Sequence, residues 1–114
     1  MSAITTHILD TSRGRPATGV KITLWQRSNE DDWDLIAQGT TDEDGRVSDL
    51  LPSDVAVTVA TYRLRFAVGS YFCSRGEKTF YPYADIVFQV DEPTEHYHVP
   101  LLLNPFGYST YRGS

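Results

Sequence analysis

Three histidines are the residues best suited to chemistry. His96 and His98 stand two positions apart in the run Glu95-His96-Tyr97-His98-Val99-Pro100-Leu101-Leu102-Leu103. Side chains alternate along an extended strand, so both imidazoles project to one side. His7 lies far upstream and could supply a third nitrogen. Three imidazoles on one face can hold a zinc ion that activates water. The spacing alone is a weak signal for zinc, because histidines are common on strand surfaces. Neutral imidazole is also the side chain best matched to proton transfer near neutral pH.

Other candidates are weaker. Asp42-Glu43-Asp44-Gly45 faintly resembles a calcium loop but lacks the later ligand positions and the closing glutamate. A turn with Asp-Gly at its apex explains it better. Cys73 has no neighbouring motif and reads as a small buried hydrophobe. The chain contains no glycine-rich phosphate loop, no nucleophile elbow and no metalloprotease motif.

The elements that must carry the histidines are strands. Val20, Ile22 and Leu24 alternate with polar neighbours, as do Tyr62, Leu64, Phe66 and Val68. Val55, Val57 and Val59 run in the opposite phase, so a bulge or break is expected near Ala60. Ile86, Phe88 and Val90 form another set, and Val99, Leu101 and Leu103 a further one. Thr5 to Leu9, Asp34 to Thr40 and Tyr108 to Arg112 complete the list. Arg13 to Pro16, Asp44-Gly45, Leu51-Pro52-Ser53 and Asn104 to Gly107 carry turn residues between them. The acidic Asn29 to Asp34 stretch reads as a solvated hairpin tip. Only Gly69 to Lys78 has helical character, enough for two or three turns. Seven or eight short strands at regular spacing predict an all-β antiparallel sandwich.

Within the last long strand, Tyr97, Val99, Leu101 and Leu103 share one face and His96, His98, Pro100 and Leu102 the other. With the first set in the core, both histidines point outward. Pro100 lacks a ladder donor, which suggests a sheet edge or a local bulge.

Composition limits the partners. The 114 residues suit one domain over 1–114, with a net charge of −5 from ten basic and fifteen acidic side chains. That balance argues against a phosphate-backbone partner, and no short window is basic enough for a lipid or nucleic-acid patch. A lone cysteine excludes an intrachain disulfide. No apolar run approaches the ~20 residues of a membrane span. With no secretory h-region near the start and no peroxisomal Ser-Lys-Leu ending, a cytoplasmic protein is expected.

Several motifs together resemble one family. His7-Ile8-Leu9-Asp10-Thr11, Gly14-Arg15-Pro16-Ala17 and Gly19-Val20 open the match. It continues through Gly39-Thr40-Thr41-Asp42, Asp44-Gly45-Arg46, Tyr71-Phe72, Phe80-Tyr81-Pro82 and His96 to Leu102. It closes on Gly107-Tyr108-Ser109-Thr110-Tyr111-Arg112-Gly113-Ser114. The chain resembles the 5-hydroxyisourate hydrolases along its whole length and in the expected order. The Tyr-Arg-Gly-Ser ending separates them from their hormone-carrying relatives, the transthyretins. One departure is the acidic Glu30 to Asp32 stretch, which is longer than usual and lies away from the matching motifs.

The resemblance implies a transthyretin-like sandwich of two four-stranded sheets with one short helix. It implies a homotetramer, a dimer of dimers with sites at the dimer–dimer interface. It implies hydrolysis of 5-hydroxyisourate in urate degradation, with no cofactor and no metal. The matching site positions are His7, Arg46, His98 and the tail from Tyr111 to Ser114. In these roles His98 and His7 would activate water and Arg46 would stabilise the oxyanion. Tyr111 would contact the substrate and Ser114 a histidine or the substrate, while His96 would be structural or solvent-facing. The alternative is a transthyretin-like binding protein for a thyroid-hormone-type small molecule, without catalysis. A structural or adhesion sandwich is a third class, and would ordinarily show secretion signals or disulfides.

Overall fold

The computed structural model describes residues 3–52 and 55–114. In chain order the elements are β1 (Ile4–Asp10), β2 (Arg15–Pro16), β3 (Lys21–Arg27), β4 (Trp33–Thr40), β5 (Ala60–Phe66), α1 (Val68–Ser74), β6 (Ala84–Val90), β7 (Tyr97–Asn104) and β8 (Gly107–Thr110). They form two four-stranded sheets, ordered β2-β1-β7-β8 and β4-β3-β5-β6. The expected architecture of two such sheets with one short helix is observed.

Alternation decides which residues meet between the sheets. β1 sends Ile4, Thr6, Ile8 and Asp10 inward, and β7 sends Tyr97, Val99, Leu101 and Leu103. Ile22 and Leu24 of β3 and Tyr62, Leu64 and Phe66 of β5 meet them from the other sheet. Removing these side chains from water is the main driving force, at about 1.5–3 kcal/mol for each large one. The helix buries Val68, Tyr71 and Phe72.

One pairing departs from the all-antiparallel expectation. β1 and β7 run parallel, in unbroken register from Ile4 opposite Tyr97 to Asp10 opposite Leu103. Parallel neighbours need a long crossover, and here the entire second sheet supplies it.

Pro100 also departs from expectation, for β7 is an interior strand and its ladder with β1 is regular. Along β7 the odd residues turn their backbone groups to β1, as the Thr6 hydroxyl donating to the Val99 carbonyl shows. The even residues face β8, where the Pro100 carbonyl accepts the Thr110 hydroxyl at 2.7 Å. The missing donor therefore falls where β8 has ended. β8 stops at Thr110 rather than running to Arg112, but the register survives the gap. Leu101 pairs with Thr110, and His98 forms an isolated bridge with Gly113.

Smaller differences have local causes. The segment before Ala60 is not a strand, so the phase change is a break, and only Val57 of its three valines is buried. A bulge between Leu24 and Trp25 in the β3–β4 hairpin has no counterpart in the sequence pattern. Asp34 belongs to β4 rather than to the acidic hairpin tip. Arg15 and Pro16 pair with β1 as the short edge strand β2. Cys73 is exposed, not buried, because it lies across the helix from Val68 and Phe72. Ser53, the last residue of the expected Leu51-Pro52-Ser53 turn, lies outside the described residues.

The helix is fastened to β1 through a buried carboxylate. Asp10, fully buried, accepts hydrogen bonds from Ser12 N, Ser12 Oγ and Tyr71 Oη, the last at 2.7 Å. Burial and the Asp10 contact push the Tyr71 phenol above its ordinary value, so it stays a donor. Asp10→Ala strands those donors, and should lower unfolding free energy by about 2–3 kcal/mol. Asp10→Asn should lose less. Urea denaturation of both variants measures the difference, and equal losses would mean that an uncharged amide recovers nothing and the carboxylate charge carries the whole contribution.

Candidate functional site

The parallel register sets the site. Because β1 and β7 pair in phase, their outward residues form two columns side by side. Thr5 lies opposite His98, and His7 opposite Pro100. Thr5, His7 and His98 are half-buried on the outer face of the first sheet, and His96 just before β7 is exposed. The outward phase expected for the two β7-side histidines is observed.

Arg46 arrives on a tight turn laid across β1. Asp42 Oδ1 accepts Asp44 N at 2.9 Å and Arg46 N at 3.1 Å, and Asp42 N donates to the Arg46 carbonyl. The Asp42 carboxylate is thus engaged by its own backbone, as the turn reading requires. Gly45 has φ +76°, and a Cβ there would collide with the Ile8 carbonyl oxygen. Its own carbonyl accepts Ile8 N at 2.9 Å, and Arg46 forms a bridge with His7. The turn therefore delivers the guanidinium beside the histidine columns.

The carboxy-terminal tail closes the other side. Gly113 N donates to the His98 carbonyl at 2.8 Å. Arg112 turns to the opposite side, its guanidinium 4.6 Å from the Tyr97 ring centre and 3.6 Å from Glu95. With Arg112 so held, Tyr111 and Ser114 reach the histidine face. A cleft of about 540 Å³ results, lined by Thr5, Arg46, His96, His98, Tyr111, Gly113 and Ser114.

Four of the five residues expected from the sequence, Arg46, His98, Tyr111 and Ser114, line this cleft. His7 does not line it, but its charge acts on His98 and its backbone is bridged to Arg46. Thr5 was not singled out from the sequence. Its signal was available, since it precedes His7 by two positions and shares its face. Its hydroxyl lies 2.8 Å from His98 Nδ1 and 2.9 Å from His96 Nε2. His96, read as structural or solvent-facing, is exposed and also lines the cleft.

Electrostatics give His98 a distinct character. Burial pushes its imidazole below the ordinary 6.5, and the neighbouring charges of His96, Arg46 and His7 push the same way. His98 is accordingly a neutral imidazole at neutral pH, with a lone pair to offer. Beside it stands a guanidinium that accepts no proton and attracts negative charge. Among the described residues no three His, Cys, Asp or Glu side chains converge as metal ligands, so the three-histidine zinc site does not assemble. A neutral base, a fixed cation and hydroxyl donors in one cleft suit attack of water on a polarised carbonyl.

The architecture and cleft define a transthyretin-type sandwich with a polar site on the outer face of one sheet. The HIUase/Transthyretin family model matches residues 4–113, and the chain belongs to that family. It is 43% identical to a 5-hydroxyisourate hydrolase of Halalkalibacterium halodurans, over 97% of both chains. Among solved structures it resembles Klebsiella pneumoniae 5-hydroxyisourate hydrolase, with TM-score 0.84 and 33% identity over 97% of this chain and 98% of that one. It also resembles sea bream transthyretin in complex with thyroxine, with TM-score 0.91 and 31% identity over 98% and 95% of the two chains.

The tail's approach to His98 needs a glycine. A Cβ on Gly113 would lie 2.5 Å from His98 Cδ2 and 3.2 Å from Pro100 Cγ. Gly113→Ala should therefore move the His98 ring while leaving the sheets intact. Altered His98 ring resonances with an unchanged circular dichroism spectrum are expected. Unchanged resonances would mean that the tail yields instead.

Proposed function

We infer that this protein hydrolyses 5-hydroxyisourate to 2-oxo-4-hydroxy-4-carboxy-5-ureidoimidazoline, a step of urate degradation. The observation that carries the reading is the neutral, desolvated His98 facing the same cleft as Arg46 and the Tyr111–Ser114 tail. The family and the hydrolase relatives support it.

The proposed chemistry follows from those groups. His98 takes a proton from water, whose oxygen adds to the ring carbonyl carbon. Negative charge grows on the carbonyl oxygen and is stabilised by the Arg46 guanidinium. The tetrahedral centre then collapses, the carbon–nitrogen bond breaks, and the departing nitrogen receives a proton. His7, at the edge of the cleft, orients or shuttles that proton, and Tyr111 and Ser114 contact the ring. The scheme calls on no metal and no cofactor.

The same reading carries a homotetramer, assembled as a dimer of dimers. Two features support it. β6 and β8 are both sheet edges with open ladders, and the apolar cleft between them is lined by Ile86, Phe88, Val99 and Tyr111. The polar cleft itself is open, with Arg46, Tyr111 and Ser114 exposed, as a site completed by a second subunit would be. A carrier of thyroid-hormone type would need an apolar channel where this tail and its polar neighbours stand.

Generating 5-hydroxyisourate with urate oxidase, and following its decay spectroscopically, tests the activity. The protein should accelerate the decay strongly. His98→Ala and His7→Ala should each lower turnover by roughly 10²–10⁴, the usual weight of a proton-transfer group. Decay no faster than the spontaneous rate would reject the hydrolase reading.

A further inference from the structure

The hydroxyl of Thr5 stands between two imidazoles, and its geometry has a proton consequence. A threonine hydroxyl has one proton to give and lone pairs to accept with. With the Thr5 proton given to one of the two rings, its contacts at 2.8 Å with His98 Nδ1 and 2.9 Å with His96 Nε2 leave two consistent arrangements. In one, His98 Nδ1–H donates to Thr5 and Thr5 donates to His96 Nε2. In the other, His96 Nε2–H donates to Thr5 and Thr5 donates to His98 Nδ1. The two arrangements differ at His98 Nε2. The first leaves a lone pair there, and the second places a proton on it.

Resting on the hydrolase reading, we propose that Thr5 is a positioning residue that holds His98 in its Nδ1–H tautomer, with His96 as the acceptor that fixes the Thr5 proton. Of the two, this is the arrangement that frees His98 Nε2, the remaining ring nitrogen, to take a proton from water. All three side chains line the cleft. The backbone locks them in place, because Thr5 pairs with His98 in the β1–β7 register and His98 is bridged on its other side by Gly113. His96 thereby gains a function distinct from direct attack. It is exposed, so its ring can keep Nδ1–H in water while Nε2 accepts from Thr5.

The test compares Thr5→Val and Thr5→Ser with the unsubstituted protein. Valine keeps the branched shape and strand preference of threonine and deletes only the hydroxyl. Long-range ¹⁵N–¹H spectra of ring-labelled protein at neutral pH report the His98 tautomer, and kinetics report kcat and KM separately. The unsubstituted protein should show His98 Nδ1–H. Thr5→Val should lose that preference and lower kcat by about 10–100-fold, part of the whole weight of a general base, with KM changed by no more than about twofold. Thr5→Ser should restore both the tautomer and most of kcat. Nε2–H on His98 in the unsubstituted protein would overturn the proposal, as would a Thr5→Val variant with unaltered tautomer and kcat. The spectra need no substrate. An inactive unsubstituted protein would therefore reject the hydrolase reading, while the tautomer still decides the role of Thr5.

Discussion

The parallel pairing of β1 with β7 is the constraint on which the site depends. Its register is unbroken over seven residue pairs. A slip of one residue by β1 would turn Thr5 and His7 into the core and push Ile4 and Ile8 into water, and a slip by β7 would do the same to His98 and to Tyr97 and Leu101. Several buried apolar side chains oppose that slip, at about 1.5–3 kcal/mol each, so the core fixes the positions of the polar column behind it. The functional face needs no separate stabilisation for its geometry. It inherits that geometry from the hydrophobic face of the same two strands.

Around that pair, two short additions complete the cleft, and both depend on close backbone approach. The Asp42–Arg46 turn lies against β1 because Gly45 adopts a left-handed φ and presents no Cβ to the Ile8 carbonyl. The tail lies against β7 because Gly113 presents none to His98. Pro100 fits the same plan. Its absent donor coincides with the gap between Thr110 and Gly113, where the tail leaves the ladder before it returns to His98. The backbone loses no hydrogen bond to a proline there.

Much of this was legible in the residues, and the failures have physical causes. Period-two alternation located the strands and turned both histidines near β7 outward, because inward apolar residues leave little choice of phase. The motif resemblance drew Arg46 and the Tyr111–Ser114 tail to the histidines, which no spacing rule could do across so much chain. Alternation does not encode strand direction, and so the parallel β1–β7 pair was not foreseen. Pro100 suggested an edge because a missing donor reads identically at an edge and beside a neighbour that has ended. Thr5 escaped attention because threonine is an ordinary strand residue. Its importance comes from the two imidazoles placed beside it by a partner strand more than ninety residues away.

Burial then converts position into reactivity. An imidazole on an outward face would ordinarily titrate near 6.5. His98 is instead half-covered by its neighbours and stands near the Arg46 guanidinium, and both effects disfavour its charged form. The account stands on that neutral imidazole. Titration of the three histidine rings by NMR, each assigned by substitution, measures it most directly. His98 should remain unprotonated at neutral pH and titrate below 6.5. Titration of His98 at or above 6.5 would contradict the account, because its lone pair would then be least available where the site is supposed to use it.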